Sequence, residues 1–265
     1  MLRVGSVPYL VGRPLDLGLD DEPGIELVRE VPARLVRGLR DGSIDVALVS
    51  SIELFRQPGY GYLDGIAVAG HGYVASVQVF LRRPLPDVRS VALDPASQTA
   101  RVLAQVVWPG SRDESPSFLE VAEGTDPRSV EADGWLRIGD AALREHAEDP
   151  QRAHLNPSAE WRRLTGLPFV FAPWIVRPGI DVAPFTDAFV EAFRRGVERT
   201  RELADQGARE SGLAPAFLRT YLEEECLFDP RSVLRPSLLE YRDRAAQLGL
   251  ARGDLSPHAI PIGLA

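Results

Sequence analysis

The sequence predicts an α/β protein with two lobes and a double-stranded hinge. Short apolar strands alternate with helices in both halves of the chain, which is typical of βαβ units in a mostly parallel sheet. Two long extended runs, near residues 74–82 and 167–176, enclose a segment that can form its own lobe. We therefore expect lobe 1 at residues 1–82 and 178–265, and lobe 2 at residues 83–177, with these runs as hinge strands.

The first lobe begins with a strand over Leu2 to Val4 that ends in the turn GSVPYL. A second strand follows at residues 24–28, and Pro32 begins a helix that Gly42 ends. The run IDVALV at residues 44–49 predicts a buried parallel strand. This order of strand, helix and strand gives the first βαβ unit.

The second lobe repeats the pattern, and a helical C-terminal region follows it. We expect its strands at residues 91–93, 118–121 and 135–138, and its helices at about 97–108 and 141–148. A short strand is expected at residues 65–69. The later helices are expected at residues 185–208, 214–225 and 229–248, the last capped by Asp229 with Pro230 in its first turn.

Composition limits the possible functions. A net charge of −8 over 265 residues argues against nucleic acid or an anionic membrane surface as a partner. With one cysteine, Cys226, and no histidine pair at helical spacing, we expect no disulfide and no metal site. Nucleotide-binding glycine motifs are absent from the sequence. The N-terminal stretch lacks the pattern of a signal peptide, so we expect a cytoplasmic protein.

Small polar residues recur where strands of both lobes end. Open α/β sheets bind ligands at the carboxyl ends of their strands, and helix N-termini there can hold carboxylates. Such residues also cap turns without any ligand. Pattern alone therefore predicts a cleft for a small organic anion, in either an enzyme or a binding protein. The residues concerned are Ser6, Ser50, Ser51, Ser76, Ser97, Thr99, Gly139 and Asp140.

Five stretches in order resemble one family. They are GSVPYL with RPL, DVALVSSIEL, VRSVALDPASQTA, LRIGDAAL and EWRRLTGLPFVFAPW. Together they resemble the chorismate dehydratases of the futalosine route to menaquinone, which have a type II periplasmic-binding-protein-like fold. The resemblance implies that the chain converts chorismate to 3-[(1-carboxyvinyl)oxy]benzoate by loss of water. It also implies that no metal or organic cofactor takes part.

The resemblance and the strand-end pattern together suggest residue roles. Only Asp94, Asp140 and Glu53 offer a base near the expected cleft, and a substrate carboxylate could instead take the proton. One departure concerns Val11, where the family usually has Asn; either Ser6 or Arg13 takes over its contact, or the contact is lost. We expect catalytic roles for Ser76 and Asp140, and substrate binding by Ser6, Tyr9, Arg13, Ser50, Ser51, Ser97, Gln98, Thr99 and Gly139.

Two alternatives stay open at this point. The sister enzyme that makes 1,4-dihydroxy-6-naphthoate shares the fold, but it has a catalytic His where this chain has the run Ile138-Gly139-Asp140. A solute-binding protein for a small anion would also share the fold, since a fold does not fix function. A homodimer is plausible, although the sequence shows no interface.

Overall fold

The computed structural model describes residues 1–111 and 114–264, which form two sheets flanked by helices. The strands are β1 Leu2–Ser6, β2 Ile25–Arg29, β3 Val46–Leu48, β4 Gly61–Gly70, β5 Val77–Leu81, β6 Ser90–Leu93, β7 Ser117–Glu120, β8 Gly134–Ile138, β9 His154–Leu155, β10 Phe169–Val176, β11 Cys226–Leu227 and β12 His258–Ile260. The α-helices are α1 Arg13–Asp16, α2 Pro32–Asp41, α3 Gln98–Val106, α4 Gly139–Glu148, α5 Pro157–Thr165, α6 Thr186–Glu198, α7 Thr200–Ser211, α8 Pro215–Thr220 and α9 Arg231–Gln247.

The larger sheet carries the first lobe. Its strand order is β11-β4-β10-β3-β1-β2, and β12 also pairs with β4. Strand β1 is parallel to β2 and β3, as expected of a βαβ unit, whereas β10 is antiparallel to β3 and β4. Helix α2 begins at Pro32 and ends before Gly42, which has a φ of 81°. Both predicted helix limits are therefore confirmed. Gly42 ends the helix because only glycine adopts that φ without strain.

The smaller sheet carries the second lobe, in the order β7-β6-β8-β5-β9. Strand β6 is parallel to β7 and β8, and β5 is antiparallel to β8 and β9. Ser97 caps α3, since its hydroxyl oxygen accepts a hydrogen bond from the Ala100 N–H at 3.3 Å. The predicted α/β class with two lobes is therefore confirmed.

The two long extended runs pair in different sheets. Strand β5, in the run 74–82 that we expect at the end of the first part of lobe 1, pairs in the smaller sheet. Strand β10, in the run 167–176 that we expect at the end of lobe 2, pairs in the larger sheet. Both strands are apolar and largely buried, so their sequences do not say which sheet they join. The chain crosses between the lobes after β4 and again after β9.

Several elements differ from the sequence predictions. The helix expected at residues 185–208 is two helices, α6 and α7, which meet at Arg199. Helix α8 runs into a π-helical turn at Tyr221–Glu225, and helix α5 was not predicted. Asp229 does not cap α9, because its carboxylate pairs with the Arg231 guanidinium and Pro230 takes the cap position. The strand expected at residues 65–69 extends over the whole of β4.

The two lobes are tied together beside the crossings. The Thr99 hydroxyl oxygen accepts the Ile52 N–H at 3.2 Å and lies 3.4 Å from the Ser51 hydroxyl. Tyr241 of α9 donates to the Thr99 carbonyl at 2.9 Å. The start of α3 is thereby fixed to the first lobe. No helix in the described part of the chain is long and apolar enough to cross a membrane.

Candidate active site

A cavity lies between the lobes, where strands of both sheets end. Its volume is about 70 Å³. Ser50 follows β3 of the larger sheet, whereas Ser97 and Gly139 follow β6 and β8 of the smaller one. The carboxyl ends of parallel strands meet at one edge of a sheet, so two facing sheets bring these residues together. The remaining walls are mostly apolar and include Val7, Val11, Pro32, Val68, Val74, Val77, Ile138 and Phe171.

Five of the eleven predicted site residues line this cavity. Ser50 and Ser76 are buried, being 3 % and 5 % exposed, and the Ser50 hydroxyl has no hydrogen-bond partner among the described residues. A buried hydroxyl without a partner is available to a ligand. Tyr9 packs its ring against Gly139, on the opposite lobe. The five are Tyr9, Ser50, Ser76, Ser97 and Gly139.

Three predicted residues lie behind the cavity wall, where they join the lobes. The Ser51 hydroxyl donates to the Val170 carbonyl at 2.8 Å, and Thr99 bonds to Ile52 as described. Gln98 accepts a hydrogen bond from Arg56 at 3.0 Å. Ser51, Gln98 and Thr99 therefore hold the cavity walls together and do not face its interior.

Three other predicted residues also lie outside the cavity lining. Ser6 is fully buried, and Arg13 pairs with Glu210 on α7. The Asp140 carboxylate accepts the Leu10 N–H at 3.1 Å, in a separate polar pocket that Arg13 also lines. Val11 does line the cavity, whereas Ser6 and Arg13 do not.

The two remaining candidate bases are held in structural bonds. Glu53 is fully buried and forms two hydrogen bonds with the Arg40 guanidinium, at 2.7 and 2.6 Å. Asp94 accepts the N–H groups of Ala96 and Ile138 at 2.9 and 3.2 Å. Burial raises the pKa of Asp94 against the effect of these bonds. Within residues 1–111 and 114–264, the cavity lining contains no charged side chain.

Tyr221 is a lining residue that sequence reasoning missed. It lies at the start of the π-helical turn, fully inside the protein, and its hydroxyl interacts with the side chains of Ser76 and Cys226. Burial raises its pKa well above the usual range, and burial also raises the pKa of Tyr9. Both phenols therefore stay protonated and can donate hydrogen bonds. A π-helical turn is common at functional sites, but the sequence does not mark one.

The beginnings of two helices supply positive potential to this uncharged cavity. Helix α3 starts beside Ser97 and helix α4 starts at Gly139. The first N–H groups of a helix have no partner within it, and the helix dipole favours an anion there. The Gly139 N–H itself donates to the Ser76 carbonyl at 2.8 Å. The helix dipoles favour a carboxylate in this cavity, although no arginine or lysine lines it.

The described residues contain no group of three or more His, Cys, Asp or Glu side chains placed to hold a metal ion. The polar side chains among the lining residues carry hydroxyl groups or, in Cys226, a thiol. The arrangement suits the binding of an organic anion and donation of hydrogen bonds to a leaving oxygen.

Solved structures share this architecture at low sequence identity. A protein from Archaeoglobus fulgidus matches with a TM-score of 0.74 and 17% identity, covering 94% of this chain and 98% of its own. The alkanesulfonate-binding protein of Xanthomonas axonopodis pv. citri matches with a TM-score of 0.68 and 18% identity, covering 94% and 93%. These likenesses show a periplasmic-binding-protein-like fold.

Relatives found by sequence identify the family more narrowly than the shared fold does. A chorismate dehydratase from Thermus thermophilus is 34% identical over 216 residues, which cover 75% of this chain and 79% of the relative. A chorismate dehydratase from Campylobacter jejuni is 31% identical over 175 residues, covering 63% and 64%. The family model described as menaquinone biosynthesis matches residues 2–247. The chain therefore belongs to the menaquinone biosynthesis family that this model defines.

Proposed function

We propose that this protein is a cytoplasmic chorismate dehydratase that forms 3-[(1-carboxyvinyl)oxy]benzoate and water. The observation that carries the proposal is the uncharged cavity between the lobes, lined by three serine hydroxyls and two helix N-termini. The family and the names of two relatives support chorismate as its substrate.

The cavity fits the demands of this reaction. Breaking a ring C–H bond and the neighbouring C–O bond forms a ring double bond, and the proton and hydroxide leave as water. Because the product is aromatic, the reaction is downhill overall. The protein then has to hold a dianion in a reactive conformation and assist the departing hydroxide.

In this proposal the substrate supplies the proton acceptor. Asp94, Asp140 and Glu53 all lie outside the cavity lining, and each is held by other groups. A carboxylate of the substrate, bound in a largely apolar cavity, is desolvated and becomes more basic. It is then placed to take the ring proton within the same molecule.

Ser76 is proposed to donate a hydrogen bond to the departing hydroxide. It lies at the crossing between the lobes, lines the cavity and interacts with Tyr221. Because Tyr221 stays protonated, it can donate to Ser76 and leave the Ser76 proton free for the leaving oxygen. Ser50, Ser97 and the start of α3 are proposed to bind a substrate carboxylate.

The test is turnover of chorismate by the purified protein. We expect chromatography with mass detection to show a product lighter by one water. Replacing Ser76→Ala should lower kcat by about 10²- to 10³-fold, as for other donors to a developing oxyanion. Ser115→Ala, at an exposed serine away from the cavity, is the matched control. Tight binding of chorismate by the wild type without product would support a solute-binding protein instead.

A further inference from the structure

Two pairs of consecutive residues face each other across the cleft. Tyr9 and Leu10 follow β1 on the first lobe, and Gly139 and Asp140 begin α4 on the second. Tyr9 and Gly139 form one contact: a Cβ atom added to Gly139 would lie 3.0 Å from the Tyr9 ring. Leu10 and Asp140 form the other, the N–H to carboxylate bond of 3.1 Å. One contact borders the cavity, and the other lies directly behind it.

The surroundings of Asp140 fit a structural bond between lobes. Arg13, Arg144 and Glu210 line the same polar pocket, and Arg13 already pairs with Glu210. Burial raises the pKa of Asp140, while the Leu10 N–H, and then Arg144 and Arg13, lower it. The carboxylate is thus partly buried, and its hydrogen bond with the Leu10 N–H spans the cleft.

Another link between the lobes, at Glu123, is more exposed. Glu123 on the second lobe pairs with Arg34 and Arg37 of α2, at 3.2 and 2.8 Å. All three side chains are more than half exposed, so solvent weakens these pairs. The bond of Asp140 is better shielded and lies next to Tyr9.

We propose that Asp140 is a positioning residue that holds the cleft closed and keeps Tyr9 over the cavity. The inference rests on the proposed function for its substrate, but it assigns Asp140 a role without contact to that substrate. It replaces the catalytic role that the sequence suggested for Asp140.

The test compares Asp140→Asn with Asp140→Ala. Asn keeps a side-chain oxygen that can accept the Leu10 N–H, whereas Ala removes it. We expect Asp140→Ala to raise KM for chorismate by about tenfold or more, the scale of a lost hydrogen bond to a charged group. Asp140→Asn should keep KM within about threefold of the wild type, because the side-chain oxygen still accepts the hydrogen bond and only the charge is lost. Asp21→Ala, at an exposed aspartate, is the control.

Small-angle X-ray scattering gives a readout that does not depend on turnover. The radius of gyration of Asp140→Ala without ligand should exceed that of the wild type, and Asp140→Asn should match the wild type. This expectation holds even if chorismate is not the substrate. Failure of the proposed function can therefore be distinguished from failure of the positioning role of Asp140. A KM in Asp140→Asn as high as that of Asp140→Ala, a kcat in Asp140→Asn far below that of the wild type, or unchanged scattering in Asp140→Ala would overturn the proposal.

Discussion

The substitution Gly139→Ala should strain the backbone and weaken the contact that closes the cleft. Gly139 has a φ of +64°, where an L-residue costs about 1–2 kcal/mol. Its added Cβ would also lie 3.0 Å from the Tyr9 ring, closer than ordinary contact. Crowding of this kind costs about 1–3 kcal/mol. The protein either loses that much free energy of unfolding or relieves the contact by opening the cleft.

Gly166→Ala separates these two effects. Gly166 has a φ of +72°, and an added Cβ would meet nothing within 4 Å. Thermal unfolding followed by circular dichroism should therefore show a Tm loss of about 2–4 °C for each kcal/mol, larger for Gly139→Ala. Titration with chorismate should show weaker binding only in Gly139→Ala. Equal losses of Tm together with unchanged binding would refute the reasoning.

Two further predictions concern buried polar links, one that joins the lobes at Thr99 and one beside the larger sheet at Asp45. Thr99→Val removes the acceptor of the buried Ile52 N–H, which should lower the free energy of unfolding in urea by about 1–3 kcal/mol. The control Thr125→Val, at an exposed threonine, should lower it little. Equal losses in the two variants would contradict the role of Thr99. Burial disfavours ionised Asp45, but hydrogen bonds from Arg3 and Arg177 outweigh it and lower the pKa of Asp45 to about 2. Its contribution, about 1–2 kcal/mol after screening, is present above about pH 4 and lost as pH falls towards 2. Asp45→Asn should therefore be less stable at neutral pH and flatten the acid limb of the stability curve, whereas parallel curves would argue against this ion pair.

Much of the architecture could be predicted from the sequence because its signals are local. Pro32 and Gly42 mark the limits of α2, and the Ser97 cap marks the start of α3. The meeting of strand ends then follows from the geometry of parallel sheets. Which sheet β5 and β10 each join could not be predicted, because pairing partners depend on contacts far apart in the sequence.

The site was predicted less well, since neighbouring residues face opposite ways. Ser50 lines the cavity, whereas the next residue, Ser51, donates to a carbonyl in the core. Ser97 lines the cavity, and Thr99, two residues later, fixes α3 to the other lobe. Tyr221 reaches the cavity from a π-helical turn that no pattern in the sequence indicates. Residue type predicted the chemistry of the wall, but side-chain direction required the structure.

The most direct test of the central claim is a proton NMR time course of chorismate with the wild-type protein. The proposed dehydration predicts that the ring signals of chorismate give way to aromatic signals of a substituted benzoate that keeps its enol ether. The rate should scale with protein concentration and fall sharply in Ser76→Ala. Chorismate that persists unchanged, or aromatic signals that form equally fast with Ser76→Ala, would contradict the account.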